Sequence, residues 1–322
     1  MKKNNWCFLI HLSNNMWNDF KTTDTRASEY NYGRPISTTL EADKAVWDEV
    51  TEYAAKEGCD SILIDLGDAI QYKSHPEIAV EGAWTVEYLK KELDRLRGLG
   101  LTPYPKLNFS AGHDAWLGVY SRMVSTPTYY EVCKDLINEV IDIFDTPELF
   151  HIGMDEEYAF NQQNLDFVCY RQFDLLWKDM RFFCDCVRER NVRPWMWSDH
   201  FWKHPKEFAA NIDKDVLVSP WRYMTFYFND TTNKASTDPW EVARLESYTK
   251  LPELGYDIMP CFSNFHIIAN TEQTVRFCKE NVPADKMPGF LIAPWFMTED
   301  ETKFDLLQGI HLAKLARDKY GY

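Results

Sequence analysis

Short apolar or aromatic runs alternate along the chain with longer amphipathic segments, and this alternation occurs eight times. The runs have the length of strands and are rich in β-branched and aromatic residues, which favours buried strands. The eight predicted strands cover residues 7–13, 61–67, 102–109, 149–155, 193–199, 216–221, 257–263 and 288–296.

The segments between these runs carry apolar residues every three to four positions, the period of a helix that buries one face. In the first of them Val46, Val50 and Tyr53 share a face, and Gly58 is placed to end the helix. The same period predicts helices over 129–144, 166–190, 239–254, 271–281 and 302–320.

Eight strand–helix units predict a single-domain (β/α)8 barrel over residues 1–322. The alternative is a doubly wound open sheet, which requires a glycine-rich turn after the first strand. The chain has Ser13-Asn14-Asn15 at that point, so the barrel is favoured.

The predicted connections differ in length on the two faces of the barrel. Helix-to-strand links are short, whereas the strand-to-helix links 14–39, 110–128 and 222–238 are long. Long loops without elements of their own are usually functional, and barrel enzymes hold their active sites in the strand-to-helix loops. We therefore expect the chemistry at the carboxyl ends of the strands.

Composition narrows the class of partner. The chain has 322 residues, 45% of them hydrophobic, and a formal net charge of −15. Such a charge repels polyanions, which argues against nucleic acid and anionic membranes as partners. No apolar run approaches the roughly 18 residues that a membrane span needs. The eight cysteines form no CxxC pair, so we expect reduced thiols in a cytoplasmic protein, although a chain trimmed of a secretion signal would look the same.

Aromatic residues make up 15% of the chain, and tryptophans recur where the predicted strands end. Acids and histidines occur at the same positions, which in a barrel would form a ring around one pocket. Indole faces pack against the C–H patches of sugar rings, while acids bind hydroxyls and carry protons, so the pattern favours a carbohydrate ligand. These strand-end residues are Asp65, Asp68, Asn108, His113, His151, Asp155, Glu156, Glu157, Trp195, Trp197, Asp199, Trp221, Asn264, Trp295 and Glu299.

The segment Phe150-His151-Ile152-Gly153-Met154-Asp155-Glu156 resembles the His-x-Gly-Gly-Asp-Glu signature on the fourth strand of family 20 glycoside hydrolases, the β-N-acetylhexosaminidases. Other pieces follow in the family's order. Ile64–Asp68 resembles its second-strand segment, and Pro105–Asn108 with Gly112-His113 resembles its third-strand pieces. Trp197-Ser198-Asp199, Trp221 and Ala293-Pro294-Trp295 through Glu299 resemble its pocket pieces on strands five, six and eight.

Several positions depart from the family's pattern. Met154 replaces a glycine, and Lys106 and Asn108 replace acids. The strand-one arginine is missing, and Arg26 or Arg34 in the first long loop is the candidate to replace it. Where the family has a strand-seven tyrosine, this chain has Phe262 and Phe265 in the neighbourhood. These changes bear on which sugar is bound.

The resemblance implies that Glu156 is the general acid and then the base, and that Asp155 orients the substrate's 2-acetamido group. His113, His151, Asp68, Asp199 and Glu299 would bind or support the substrate. Trp197, Trp221 and Trp295 would be the walls of an exo-acting pocket, and neither a metal nor an organic cofactor is implied.

Strand parity leaves one ambiguity in this assignment. Alternate residues of a strand face the same side, so Glu157 shares the inward parity of His151 and Asp155. Glu157 is therefore a competing candidate for the acid.

Three other functions compete with the family 20 hypothesis. An ordinary retaining glycosidase would need a strand-seven glutamate, absent from residues 259–264, although Asp199 or Glu299 could serve from another strand. A metal-dependent carbohydrate deacetylase could use His200 and His204 with Asp68, His113 and Asp199, but Pro205 predicts that a helix begins there, with His204 at its cap and His200 still in the loop. A barrel that binds sugar without cleaving it is the third alternative.

Overall fold

The computed structural model describes residues 4–16, 36–162, 167–226 and 238–322. Arg26 and Arg34, the candidates to replace the family's strand-one arginine, lie outside these residues.

Eight parallel strands form the centre of the molecule, and each falls within a predicted strand or extends it slightly. They are β1 Asn5–His11, β2 Ser61–Asp65, β3 Thr102–Lys106, β4 Leu149–His151, β5 Arg193–Trp197, β6 Leu217–Ser219, β7 Cys261–Phe262 and β8 Gly289–Ile292. Their order in the sheet is β6-β5-β4-β3-β2-β1-β8-β7. The parallel bridges Val218–Ile258 and Trp221–Cys261 join β6 to β7 and close the sheet. The predicted (β/α)8 barrel is confirmed.

Helices follow the strands in alternation. They are α1 Lys44–Lys56, α2 Val86–Gly98, α3 Pro127–Ile143, α4 Phe173–Arg188, α5 Pro205–Asn211, α6 Pro239–Glu253, α7 Asn270–Asn281 and α8 Lys303–Tyr320. Side chains cap several of them: Asp43 accepts from the Ala45 amide at 2.7 Å before α1, and Thr85 from the Tyr88 amide at 3.1 Å before α2.

Short elements fill the connections. A separate ribbon pairs Ile70–Gln71 with Trp84–Thr85, and a one-turn helix, Asp199–Lys203, precedes α5. The 3₁₀ turns are Gly67–Ala69, Pro76–Ile78, Ala115–Tyr120, Ala159–Gln162, Ala284–Lys286 and Asp300–Thr302.

Three helix expectations needed correction. The helix expected over 166–190 begins at Phe173. No helix was specified where α2 lies, although its buried residues Val86, Leu89, Leu93 and Leu96 recur every three to four positions. His200 lies in the one-turn helix and not in a loop, while His204 does cap α5 as expected.

Alternate side chains of each strand point inside and outside the barrel, and this produces two cores. In β1, Cys7 and Leu9 belong to the cluster inside the barrel, while Phe8 and Ile10 belong to the larger cluster between strands and helices. Both faces of each strand are therefore buried, and this explains why the strands read as nearly continuous apolar runs. The inner cluster extends towards the carboxyl ends of the strands through Trp221, Tyr223 and Trp295, which are only partly buried.

No helix in the described part of the chain is long and apolar enough to cross a membrane. All eight cysteines lie in described residues and are free thiols, as expected.

Candidate active site

A buried ionic layer marks the carboxyl end of the barrel interior. Neighbouring strands pair His11, Asp65, Lys106 and His151 in register. One Asp65 carboxylate oxygen lies 2.5 Å from His11 Nδ1, and the other accepts from Lys106 Nζ at 2.5 Å. Burial acts to raise the pKa of Asp65, but Lys106 and His11 outweigh it and hold that pKa below its usual value. Lys106, which departs from the family's pattern, is thus the counterion of a buried carboxylate.

The pKa values of both histidines in this layer lie below their usual value. Burial lowers the pKa of His11, and burial together with the charge of Lys106 lowers the pKa of His151 well below its usual value. His151 has no exposed surface, and its Nε2 has no hydrogen-bond partner among the described residues.

The loop after β4 turns sharply through left-handed backbone. The φ angles of Gly153, Met154 and Glu156 are 71°, 67° and 50°. A β-carbon at Gly153 would lie 2.0 Å from Asn108 Oδ1, so this position requires glycine. The Met154 amide donates to the same oxygen at 3.2 Å, and its side chain is buried in the outer core. Met154 therefore does not close the pocket.

This turn brings two adjacent carboxylates to one side of the chain. His113 Nε2 lies 3.9 Å from Asp155 Oδ2 and 3.4 Å from Glu156 Oε2. Asn108 Nδ2 donates to Asp155 Oδ1 at 2.7 Å. Asp155 is nearly enclosed, whereas 36% of the Glu156 side chain is exposed. In regular strand these neighbours would point to opposite faces, so the broken pleat is what makes them converge.

Gly112, which precedes His113, lies against the main chain of the loop that carries Glu156. A β-carbon at Gly112 would lie 2.8 Å from the Glu156 carbonyl oxygen. The loops after β3 and β4 therefore pack closely enough for His113 to reach both carboxylates.

Asp199, at the end of β5, lies behind the loop that carries Glu156. Its oxygens accept from the Glu156 amide at 3.0 Å and from Trp221 Nε1 at 2.5 Å, and it has no exposed surface. Burial, followed by the nearby Asp155 carboxylate, raises the pKa of Asp199 well above its usual value. Burial also raises the pKa of Asp155. Asp199 thus supports the main chain at Glu156.

Glu157, the competing acid, occupies a structural site. Its carboxylate is fully buried, contacts Arg171 Nε at 2.7 Å and accepts from the Ala111 amide at 2.6 Å. Burial acts to raise its pKa, but the Arg171 charge dominates and holds the pKa below its usual value. A general acid must carry a proton and touch the substrate, so this buried ion pair does not favour Glu157 for that role.

Aromatic rings surround the buried layer from β1, β5, β6 and β8. Trp295 stacks on His11 with ring centres 5.5 Å apart, and Trp197 lies 6.0 Å from Trp295 and 4.8 Å from His151. Trp221 and Trp295 are partly exposed, whereas Trp197 is buried and its indole nitrogen has no hydrogen-bond partner among the described residues.

Sequence reasoning missed Tyr223. It stacks on Trp221 with centres 5.0 Å apart, and its hydroxyl lies 3.6 Å from Cys261 Sγ on β7. A tyrosine thus reaches the strand-seven side of the pocket from the loop after β6. Phe262, which stands on β7 itself, packs in the outer core. The signal was the Trp-x-Tyr spacing after β6, which gives the two rings one parity.

The other predicted ligands lie towards β1, β2 and β8. Asp68 accepts from Ser13 Oγ and Asn15 Nδ2, both at 2.6 Å, beside a small cavity that these three residues help to line. Burial raises the pKa of Asp68 to about 6. Glu299 is buried where the turn after β8 begins. Asn264 is held against α8, where it donates to the Asp305 carbonyl at 2.9 Å.

The residues proposed for a metal site do not assemble. His200 is buried, with its ring against Tyr158 and Trp177, and burial lowers its pKa to about 4, whereas His204 is exposed. Across the residues the structure describes, no three histidine, cysteine, aspartate or glutamate side chains gather as a metal-binding group.

Solved structures with the same architecture are numerous. A structure of the pneumococcal virulence factor StrH aligns at 12% identity with a TM-score of 0.62, over 99% of this chain and 84% of that one. A β-N-acetylhexosaminidase from Bacteroides fragilis aligns at 11% identity with a TM-score of 0.60, over 96% of this chain and 65% of that one. This chain has the fold of the family 20 glycoside hydrolase barrels.

A family 20 exo-β-N-acetylglucosaminidase from Vibrio harveyi, solved with N-acetylglucosamine, aligns at 14% identity with a TM-score of 0.61, over 99% of this chain and 57% of that one. The chain thus spans less than two thirds of the Bacteroides and Vibrio family 20 chains. No family model matches the sequence, and no curated protein sequence matches it. Identities of 11 to 14% establish a shared fold and leave the activity to be judged from this chain's own residues.

Proposed function

We propose that this protein is a retaining glycoside hydrolase that removes terminal β-linked N-acetylhexosamine with the help of the substrate's own acetamido group. The observation that carries the proposal is the convergence of Asp155 and Glu156 on His113, at 3.9 and 3.4 Å. Two carboxylates with one shared imidazole, at the active-site face of a barrel, suit acid–base chemistry at a single bond.

Glu156 is the general acid in this proposal. It is the more exposed of the two carboxylates and lies at the pocket mouth, where the leaving group must sit. As a carboxylic acid it gives its proton to the glycosidic oxygen while the bond from that oxygen to the anomeric carbon breaks. As a carboxylate it later takes a proton from the attacking water.

Asp155 holds the acetamido group. Its nearly enclosed carboxylate, fixed by Asn108 at 2.7 Å, is placed to accept the acetamido N–H and so to direct the carbonyl oxygen to the anomeric carbon. The bond from that oxygen to the anomeric carbon forms as the leaving group departs, which gives a cyclic intermediate. Water then opens the ring from the face that the leaving group left, so configuration is retained.

The aromatic walls and the buried polar atoms suit a terminal sugar. Trp221 and Trp295, which are partly exposed, can stack on the C–H faces of the ring, and the buried Trp197 packs against Trp295. Trp197 Nε1 and His151 Nε2 lack partners among the described residues, and a buried polar atom in that state is costly unless a ligand or water satisfies it. Sugar hydroxyls or the acetamido carbonyl would satisfy them. Tyr223 is the remaining hydroxyl donor on this side of the pocket.

A substrate panel tests the proposal. Aryl β-N-acetylglucosaminide and β-N-acetylgalactosaminide are assayed beside the plain β-glucoside and β-galactoside, with a chelator arm for the deacetylase alternative. We expect cleavage of the acetamido sugars alone, unaffected by chelator, with the β-anomer as first product by NMR. Cleavage restricted to plain glycosides would rule out substrate assistance, and binding without cleavage would favour a sugar-binding barrel.

A further inference from the structure

Two cations are set among aromatic rings at the side of the pocket where the acid lies. Lys203 Nζ lies 4.0 Å from the centre of the Tyr158 ring and 4.4 Å from that of Trp240. The Arg244 guanidinium carbon lies 4.6, 5.2 and 5.4 Å from the ring centres of Trp202, Trp221 and Trp240. We call these residues the cationic cluster: Tyr158, Trp202, Lys203, Trp221, Trp240 and Arg244.

The cationic cluster is joined directly to the proposed catalytic loop. The Tyr158 amide donates to the Glu156 carbonyl at 2.6 Å, and Trp221 donates to Asp199, which in turn accepts from the Glu156 amide. In the proposed function Glu156 protonates the leaving group, so the cluster lies beside the loop from which that proton comes.

Few acids lie beside the cations of the cluster in the described part of the chain. Arg244 lies 3.3 Å from Glu241. Lys203 is exposed and has no acidic side chain within ion-pair distance among the described residues. Burial, followed by the charge of Arg244, lowers the pKa of Lys203. In a chain with a net charge of −15, an exposed lysine of this kind beside an arginine is suited to an anion.

We infer that Lys203 and Arg244 form a binding site for a negatively charged leaving group, one that carries a carboxylate or a sulfate on the part of the substrate beyond the cleaved bond. The inference rests on the proposed function. The rings hold the two cations in place and offer flat surface to the same group. Opposite charge at this position favours the ionic substrate over its neutral counterpart. A cluster that only fastens α6 to the barrel would show no such preference.

The test compares three N-acetylglucosaminides of closely matched leaving groups: 4-methylumbelliferyl, 4-(carboxymethyl)umbelliferyl and 4-(sulfomethyl)umbelliferyl. The readout is the ratio of kcat/KM for each ionic substrate to that for the neutral one. We expect ratios above one in wild type, and a fall of about fivefold in Lys203→Met, the equivalent of ~1 kcal/mol for a partly exposed ion pair. The ratios fall below one in Lys203→Glu and are retained in Lys203→Arg.

Lys206→Met is the matched control, because Lys206 is an exposed lysine on α5 outside the cluster, and it leaves the ratios unchanged. Added salt lowers the wild-type ratios, since it screens exposed charges. A ratio that is the same in wild type and Lys203→Met overturns the inference while leaving the proposed function intact. A fall for only one ionic substrate assigns the site to the carboxylate or to the sulfonate, which stands in for a sulfate ester.

A binding measurement tests the anion site independently of the proposed hydrolase activity. If wild type cleaves none of the glycosides, the hydrolase proposal fails, and calorimetric titration with the free coumarins still tests the site. Tighter binding of the ionic coumarins by wild type than by Lys203→Met supports the site, and equal binding overturns it.

Discussion

Three consecutive acids have two different environments in this barrel. Asp155 and Glu156 face the pocket with only a histidine between them, whereas Glu157 is sealed against Arg171 at 2.7 Å. Burial raises the pKa of Asp155, while the guanidinium holds that of Glu157 below its usual value. The comparison teaches that cationic and amide partners favour the charged form of a buried carboxyl, whereas burial with fewer such partners disfavours it.

Glu156→Gln should give the largest effect. We expect a loss of about 10³-fold in kcat on alkyl N-acetylglucosaminides, because a positioned acid contributes roughly that much. For aryl substrates the rate of glycosidic bond cleavage should fall less, because an acidic leaving group departs with little need of a proton. Melting temperature and kinetics are measured together, and unchanged kinetics would remove Glu156 from the acid role.

Glu157→Gln, the same substitution one residue later, should affect stability instead. Removing the charge leaves Arg171 buried with an incomplete set of partners, so we expect the free energy of unfolding to fall by about 3 kcal/mol. Urea denaturation followed by tryptophan fluorescence measures it. The active fraction that remains folded should retain a near wild-type kcat, and a specific loss of kcat without destabilisation would contradict the comparison.

Asp155→Asn should reduce kcat on acetamido substrates by about 10²-fold, because the substituted amide no longer carries the charge that orients the acetamido N–H. The residue keeps its size, and Asn108 Nδ2 can still donate to its oxygen. Steady-state kinetics on the aryl N-acetylglucosaminide measure the loss. Equal losses on glycosides with and without the acetamido group would contradict the assigned role.

The smallest effect should be a shift in pH dependence. If ionised Asp155 is the active form, activity is present above the pKa of Asp155 and is lost as the pH falls through it. Glu156→Gln removes the neighbouring carboxylate that raises the pKa of Asp155, so the acidic limb of kcat/KM on the aryl N-acetylglucosaminide should move to lower pH, by about half a unit to one unit.

A variant in which the acidic limb of kcat/KM should move to higher pH serves as the control. Lys106 lowers the pKa of Asp155, so Lys106→Met combined with Asp65→Asn should move the acidic limb to higher pH. The second substitution keeps Asp65 from being left as an unpaired buried charge. Shifts of the same sign in both variants would show that the limb reports another group.

Much of this architecture could be predicted from the chain. The apolar runs predicted all eight strands, because each strand is covered on both faces and needs no alternation with polar residues. Helix α2 was not singled out, although its apolar residues have the helical period on one face. The adjacency of Asp155 and Glu156 and the Gly112-His113 pair were visible as motifs, but their distances were not.

The sequence by itself determined which residues stand at the strand ends and that acids, histidines and tryptophans are gathered there, because local periodicity fixes where strands stop. Only the tertiary structure decided between Glu156 and Glu157. Alternate residues face the same side only while the strand is regular, and three residues with left-handed backbone interrupt the regular strand here. Arg171, which seals Glu157, arrives from a part of the chain that no local pattern connects to it.

Tyr223 and the cationic cluster were decided in the same way. Their partners come from separate elements: Cys261 from β7, Trp240 and Arg244 from α6, and Lys203 from the one-turn helix before α5. Such contacts depend on how these elements pack around the closed barrel. Local sequence specifies which face of an element is apolar, whereas the pairing of charges and rings between loops is a property of the folded molecule.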